Sequence, residues 1–342
     1  MNKPLFKLLT LLVLCQPAWA AESPRVVAEH HLHLRSEAAA DLLSQIQQNK
    51  KPLESLPNLK AITGQDILAA LNAAAVPEAI VISSAYLFSM PDLNPSGEYS
   101  LVMRENNYTA EQVAIAPDRL SGLCSVNPLA EYALDEIQRC AQRLGLKGVH
   151  LHFENSDIDL RSSAHIGKLA TVFEFLEALQ FPALIHTRTR QTDYGSIDIK
   201  LFIDKVLSEA PTIDIQIAHL AGSGGYDDGT DRAMAQFTEA FIDGRLEPSN
   251  FQFDLAGVVV APNSAQSSQV QRTLMIQNKQ LSNRIKKMDP QQVLFATGWP
   301  TDNPELLDYE LINTNKKNIA RFLSLNPEQL TILYQTRSRL LD

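Results

Sequence analysis

The sequence predicts an α/β fold, a (β/α)8 TIM barrel in a single domain. Three observations predict it. From Arg25 onward, short apolar runs rich in β-branched residues alternate with longer segments of helical period, the pattern of repeated βα units rather than of a sandwich. The runs number eight, the count that closes a parallel sheet on itself. They also show little polar alternation, as strands covered on both faces do.

In order, the runs are residues 26–29, 79–83, 120–126, 148–153, 183–186, 213–219, 251–255 and 293–297. Helices are expected over 36–50, 63–75, 129–144, 168–180, 198–210 and 326–341. Thr63 and Asp66 form a capping-box pattern, and Gly145 ends the helix before it. Residues 85–118, rich in Pro, Asn, Gly and Tyr, read as a loop with a short helix over the barrel mouth. An open doubly wound sheet is the competing arrangement, but no glycine-rich phosphate loop follows the first run.

Residues 1–20 are expected to be a signal peptide, leaving 21–342 as the mature barrel. Lys3 and Lys7 precede an apolar core interrupted only by Thr10, and Ala18-Trp19-Ala20 supplies a small-x-small cleavage site. The run is too short for a comfortable transmembrane anchor, and bulky Leu14 before Cys15 argues against a lipoprotein. The mature protein is therefore expected in the periplasm or secreted, where a disulfide is permitted. Cys124 and Cys140 are compatible with one disulfide or with two separate thiols. With 39 acidic against 30 basic residues and a net charge of −9, the chain lacks the basic excess of a nucleic-acid binder. A small molecule is the expected partner.

Seven of the eight histidines fall in or at the end of an expected strand; His165 does not. His31 and His33 are two apart, so on an extended segment both point to one side and can share a metal. His186 ends the fifth run and His219 the sixth, positions that converge on one mouth of a barrel. His150, His152 and Glu154 share a face at the end of the fourth. No zincin motif, phosphate loop or nucleophile elbow competes.

These residues resemble the amidohydrolase superfamily, in its amidohydrolase-2 branch of metal-dependent hydrolases and decarboxylases. The resemblance rests on Glu29-His30-His31-Leu32-His33, similar to D-x-H-x-H with Glu for Asp, and on Gly148-Val149-His150-Leu151-His152. It continues through Ala183-Leu184-Ile185-His186, Ala218-His219-Leu220-Ala221-Gly222, Phe253-Asp254-Leu255-Ala256-Gly257 and Ala296-Thr297-Gly298-Trp299-Pro300. It implies that His31, His33 and His186 bind one divalent ion, with zinc expected, and that His219 binds metal or polarises substrate. It also implies an aspartate ending the eighth strand, both metal ligand and proton acceptor. Here that position is Gly298.

A positioned general base is worth about 10²–10⁴-fold in rate, so a substitute is needed. Asp302 is the first choice, in competition with a helix-capping role; Asp227, Asp228 and Glu154 are the others. Glu29 fits a supporting role. Arg188 and Arg190, just past His186, suit a carboxylate- or phosphate-bearing substrate or are solvated loop charges. Tyr86, Phe88 and Tyr226 line the pocket or pack the loops. The expected function is an exported metal-dependent hydrolase of a C–O or C–N bond. The alternatives are a decarboxylase with the same site and a catalytically degenerate binding barrel.

Overall fold

The computed structural model describes residues 24–50, 59–93, 95–298 and 310–341. The expected signal peptide and Asp302 lie outside the described residues. Eight parallel strands follow one another around one sheet in chain order: β1 Ala28–Leu34, β2 Glu78–Ser83, β3 Leu120–Ser125, β4 Gly148–His152, β5 Ala183–His186, β6 Ile215–Ile217, β7 Phe251–Asp254 and β8 Val293–Leu294. This is the (β/α)8 barrel that the alternation of runs predicts. Each observed strand lies within or overlaps its expected run.

The seam between β8 and β1 is stitched by side chains. Glu29 Oε1 accepts the Thr297 N–H at 2.8 Å, and His30 Nδ1 donates to the Phe295 carbonyl at 2.7 Å. Outside the strands lie α1 Glu37–Lys50, α2 Gly64–Ala74, α3 Glu98–Val113, α4 Ala133–Gln142, α5 Ser163–Leu179, α6 Ser196–Lys205, α7 Asp228–Ile242, α8 Ser268–Ile285, α9 Glu310–Phe322 and α10 Pro327–Gln335. Thr63 caps α2 and forms the expected box with Asp66. No described helix is long and apolar enough to cross a membrane.

Residues 85–118 hold more structure than a loop with a short helix. A 3-10 turn, Ser84–Ser89, is followed by the 16-residue α3. Its packed face is what hides it: besides Val102 it buries Glu105, Asn106 and Thr109, so no apolar period marks it. The Glu105 carboxylate accepts the Ser36 N–H at 2.9 Å, and Asn106 bonds both the N–H and the C=O of Ser125 on β3.

The main core lies between the strands and the helix layer, where Phe153, Phe173, Phe202, Phe237 and Phe253 are buried. A second cluster fills the barrel interior: Ala28, Ile80, Ile82, Leu123, Leu184 and Ala218 meet Leu340 and Leu341. Each of these leucines contributes about 1.5–3 kcal/mol by leaving water. Beside them, the Ser338 N–H donates to His30 Nε2 at 3.1 Å and the Ser338 hydroxyl to Gln216 Oε1 at 3.0 Å. The segment after α10 therefore plugs the barrel and bonds to its interior polar groups. Cys124 on β3 and Cys140 on α4 are buried free thiols.

Candidate metal centre

At the carboxyl ends of the strands six imidazoles stand in contact. His31 neighbours His33, His186 and His219 with ring centroids 5.2, 5.0 and 4.9 Å away. His186 and His219 are 4.6 Å apart. His150 lies 4.9 Å from His186, and His152 stacks on His186 at 4.3 Å. Tyr86 leans on His33, His150 and His152, so it lines the mouth. Phe88 packs in a loop core and Tyr226 bonds Asp231.

Hydrogen bonds fix which nitrogens face the cluster. Asp254 Oδ2 can only accept, so His31 Nδ1, 3.0 Å away, carries a proton and His31 Nε2 keeps its lone pair. His219 Nδ1 likewise donates to the Ala256 carbonyl at 2.5 Å. His31 Nε2 and His33 Nε2 stand 3.2 Å apart; with Zn–N bonds of ~2.0–2.1 Å, that spacing subtends roughly 100° at a shared ion. One donor atom from each of His31, His186 and His219 lies within 4.8 Å of the other two. Among the described residues, His33 Nδ1, His150 Nε2 and His186 Nε2 are buried without a hydrogen-bond partner, an arrangement that costs about 1–3 kcal/mol per group if nothing fills it.

Burial, and then the crowding of imidazoles, holds His33, His150 and His186 well below the ordinary histidine range. The same causes bring His152 to about 3, and burial followed by the His31 ring brings His219 to about 4. Neutral rings offer the lone pairs a cation needs. The donor set fits a divalent metal ion.

The backbone at His219 is strained. His219, Leu220 and Ala221 adopt φ of 53°, 50° and 63°, a left-handed conformation that costs roughly 1–2 kcal/mol per residue. Fixed bonds hold it: Asp254 Oδ1 accepts the His219 N–H at 2.9 Å, and the Tyr194 hydroxyl donates to the Ala221 carbonyl at 2.8 Å.

Asp254 is the residue that sequence reasoning missed. It ends β7, and its two oxygens accept four N–H groups, from His31, Gln216, His219 and Ala256. Burial alone would raise its pKa, but the His31 and His219 interactions outweigh that and hold it well below the carboxylate range. Its place at a strand end was the signal available. Glu29 is the reverse case. Burial raises it to about 8 against the bonds from Thr297 and His31, so it is a neutral seam group at neutral pH.

Gly298 sits where the eighth strand meets the cluster, at φ 73°; a Cβ built there would lie 3.4 Å from Ala256 Cβ and 3.9 Å from His219 Cε1. The remaining candidates are tied elsewhere. Arg188 pairs with Asp227 at 3.0 Å and lies over the Tyr194 ring, and Asp227 also caps α7. Both border a side pocket of about 420 Å³ that none of the cluster histidines lines. Arg190 pairs with Asp92 and Asp157 and bonds the Glu154 carbonyl. Asp228 opens the first turn of α7. His165 accepts the Asp159 N–H, away from the cluster.

Several solved structures share this fold. A 2,6-dihydroxybenzoate decarboxylase from Rhizobium is 16% identical, with TM-score 0.57 over 93% of this chain and 98% of its own. A 5-carboxyvanillate decarboxylase from Novosphingobium aromaticivorans, with bound manganese, is 15% identical, with TM-score 0.57 over 92% and 96%. A probable 2-pyrone-4,6-dicarboxylic acid hydrolase from Acinetobacter baumannii, with citric acid bound, is 16% identical, with TM-score 0.53 over 90% and 98%. No curated protein matches the sequence. The family model described as amidohydrolase matches residues 92–330, well over half of the chain. With its barrel and its strand-end histidines, the chain belongs to the amidohydrolase superfamily, in the amidohydrolase-2 branch.

Proposed function

We propose that this chain is an exported, metal-dependent enzyme acting on a small carboxylate-bearing substrate, and that it works by non-oxidative decarboxylation. One observation carries the reading: an imidazole cluster fit for a cation stands beside Gly298, where the branch has its catalytic aspartate. A divalent ion, zinc by preference, among His31, His33, His186 and His219 would supply the charge that chelates and polarises an organic acid. Hydrolysis needs in addition a base for the attacking water. The acceptor positions of Asp254 are taken, and Glu29 is neutral and buried. Decarboxylation breaks the bond from the carboxylate carbon to its neighbour, releases CO2 and returns a proton to that neighbour; no activated water enters. The decarboxylases among the structural neighbours support this reading.

His219, fixed by its strained turn, would orient the substrate against the ion. Arg188 and Arg190, the substrate-binding candidates, are engaged by Asp227, Asp92 and Asp157, so the charge that attracts the acid would come from the ion. Hydrolysis of a C–O or C–N bond is the second reading, favoured by Asp302 four residues beyond Gly298.

The zinc-loaded protein should be offered hydroxylated benzoates, lactones and amides, with CO2 release and hydrolysis measured separately. CO2 release that disappears in a His31→Ala/His33→Ala double variant supports the proposal. Hydrolysis that disappears in Asp302→Asn supports the second reading. Protein that takes up no metal, yet binds a small acid, is a degenerate barrel and overturns both.

A further inference from the structure

We propose that the pocket at the amino-terminal ends of the strands, on the far side of the barrel from the histidine cluster, is a second ligand site that takes a small organic oxyanion through Arg339. The site does not depend on a bound metal.

The pocket has a volume of about 380 Å³, within the ~300–1,000 Å³ of small-molecule sites. Its walls fix its place. Gln252 is the second residue of β7, Gln291 belongs to the turn that leads into β8, and Gln335, Arg337 and Arg339 come from the end of α10 and the segment after it. None of the cluster histidines lines it.

Gln252 sets the frame. Its side-chain N–H groups donate to the Gln291 and Arg337 carbonyls, both at 3.1 Å, and its Oε1 accepts the Arg339 N–H at 3.0 Å. One buried amide therefore ties β7, the turn before β8 and the last segment together, and the walls stand ready before anything enters.

The two arginines play different parts. Arg337 lies against Glu78 with contacts of 2.6 and 3.0 Å, a two-pronged pair that balances its charge. Arg339 is held loosely. Its ion partner Asp214 comes no nearer than 3.9 Å, to Nε, too far for a hydrogen bond. Its Nη1 is buried and, among the described residues, has no hydrogen-bond partner, which costs about 1–3 kcal/mol. The Arg339 side chain is also 32% exposed, so the guanidinium has room to turn into the pocket. By turning toward an anion it presents two parallel N–H groups to a carboxylate or phosphate, and Nη1 leaves its unbonded place.

Asp214 limits the ligand. It repels a second negative group, so the occupant has one oxyanion group and a polar remainder that the Gln291 and Gln335 amides can bond. Between the two arginines stands Ser338, which bonds His30 and Gln216 inside the barrel. A ligand that grips Arg339 therefore also holds the plug.

The test is titration calorimetry of the full-length protein with glycerate and with glycerol phosphate, at an ionic strength kept constant with chloride. We expect one equivalent to bind saturably, the tighter probe identifying the group as carboxylate or phosphate, and to raise the urea midpoint. Arg339→Met keeps an apolar stem without the charge and should weaken binding about tenfold or more. Gln335→Glu puts a negative charge at the exposed rim, away from the bonds of the plug, and should weaken binding whether or not the first variant folds. The His31→Ala/His33→Ala variant should bind the probes as wild type does, which separates this site from the metal centre. The proposal is overturned if neither probe binds, if binding is unaltered in Gln335→Glu or in folded Arg339→Met, or if it is lost in the histidine double variant.

Discussion

An Asp254→Asn substitution keeps the shape of the side chain while removing its charge and one of its two acceptor atoms. In the native site Oδ2 takes N–H groups from His31 and Gln216 at 3.0 and 2.8 Å, and Oδ1 takes those of His219 and Ala256 at 2.9 and 3.1 Å. Whichever way the amide is turned, two buried donors then face an NH2. Each unsatisfied donor costs about 1–3 kcal/mol, so the expected loss of stability is about 2–6 kcal/mol, a large share of the ~5–15 kcal/mol of an ordinary domain. His31 also loses the partner that keeps its proton on Nδ1, so zinc affinity should fall about 10–100-fold. Urea denaturation of the metal-free protein reads the first quantity and isothermal titration with zinc the second. A variant as stable as wild type, with unchanged zinc affinity, would refute the assignment of Asp254 as the group that positions both histidines.

Three further outcomes are expected. Burial pushes His30 down to about 4 from an ordinary 6.5, so the unfolded chain binds the proton first as pH falls. Its contribution is complete above about pH 6.5 and is lost toward pH 4, by about 3 kcal/mol; His30→Gln should make that part of the profile shallower by this share, the buried cluster histidines supplying the rest, and a slope unchanged in the variant would contradict this. Leu340→Ala should cost about 2–5 kcal/mol in the same denaturation assay, because Leu340 fills the barrel interior; a loss below 1 kcal/mol would argue against the plug. Gly298→Ala places a side chain at φ 73° and should cost about 1–2 kcal/mol, read as a lowered thermal midpoint; an unchanged midpoint would mean that the backbone there is not left-handed.

The strands were legible because a barrel buries them on both faces, which leaves an apolar run for each; β5 matches its expected run residue for residue, 183–186. The histidines were legible because strand ends in a barrel converge whatever their separation in sequence. α3 was not, since its inner face carries Glu105 and Asn106, whose partners Ser36 and Ser125 lie on other elements. Asp254 escaped notice for the same reason: apart from its place at a strand end, a carboxylate whose partners come from β1, β6 and the turns beyond β6 and β7 has no local signature. The place of His219 is likewise three-dimensional. Spacing put His31 and His33 on one side of a strand, but the left-handed turn that swings His219 into the cluster involves no glycine.

The bond from Ser338 to His30 joins positions 308 apart. On a ribosome adding about 5–20 residues each second, the first strand waits roughly 15–60 s for the segment that will close its underside. Until then the sites that Leu340 and Leu341 fill, and the polar atoms of His30 and Gln216, lack those partners. Throughout that interval the ring of strands stays unsealed at its base, however many of its members have already been made.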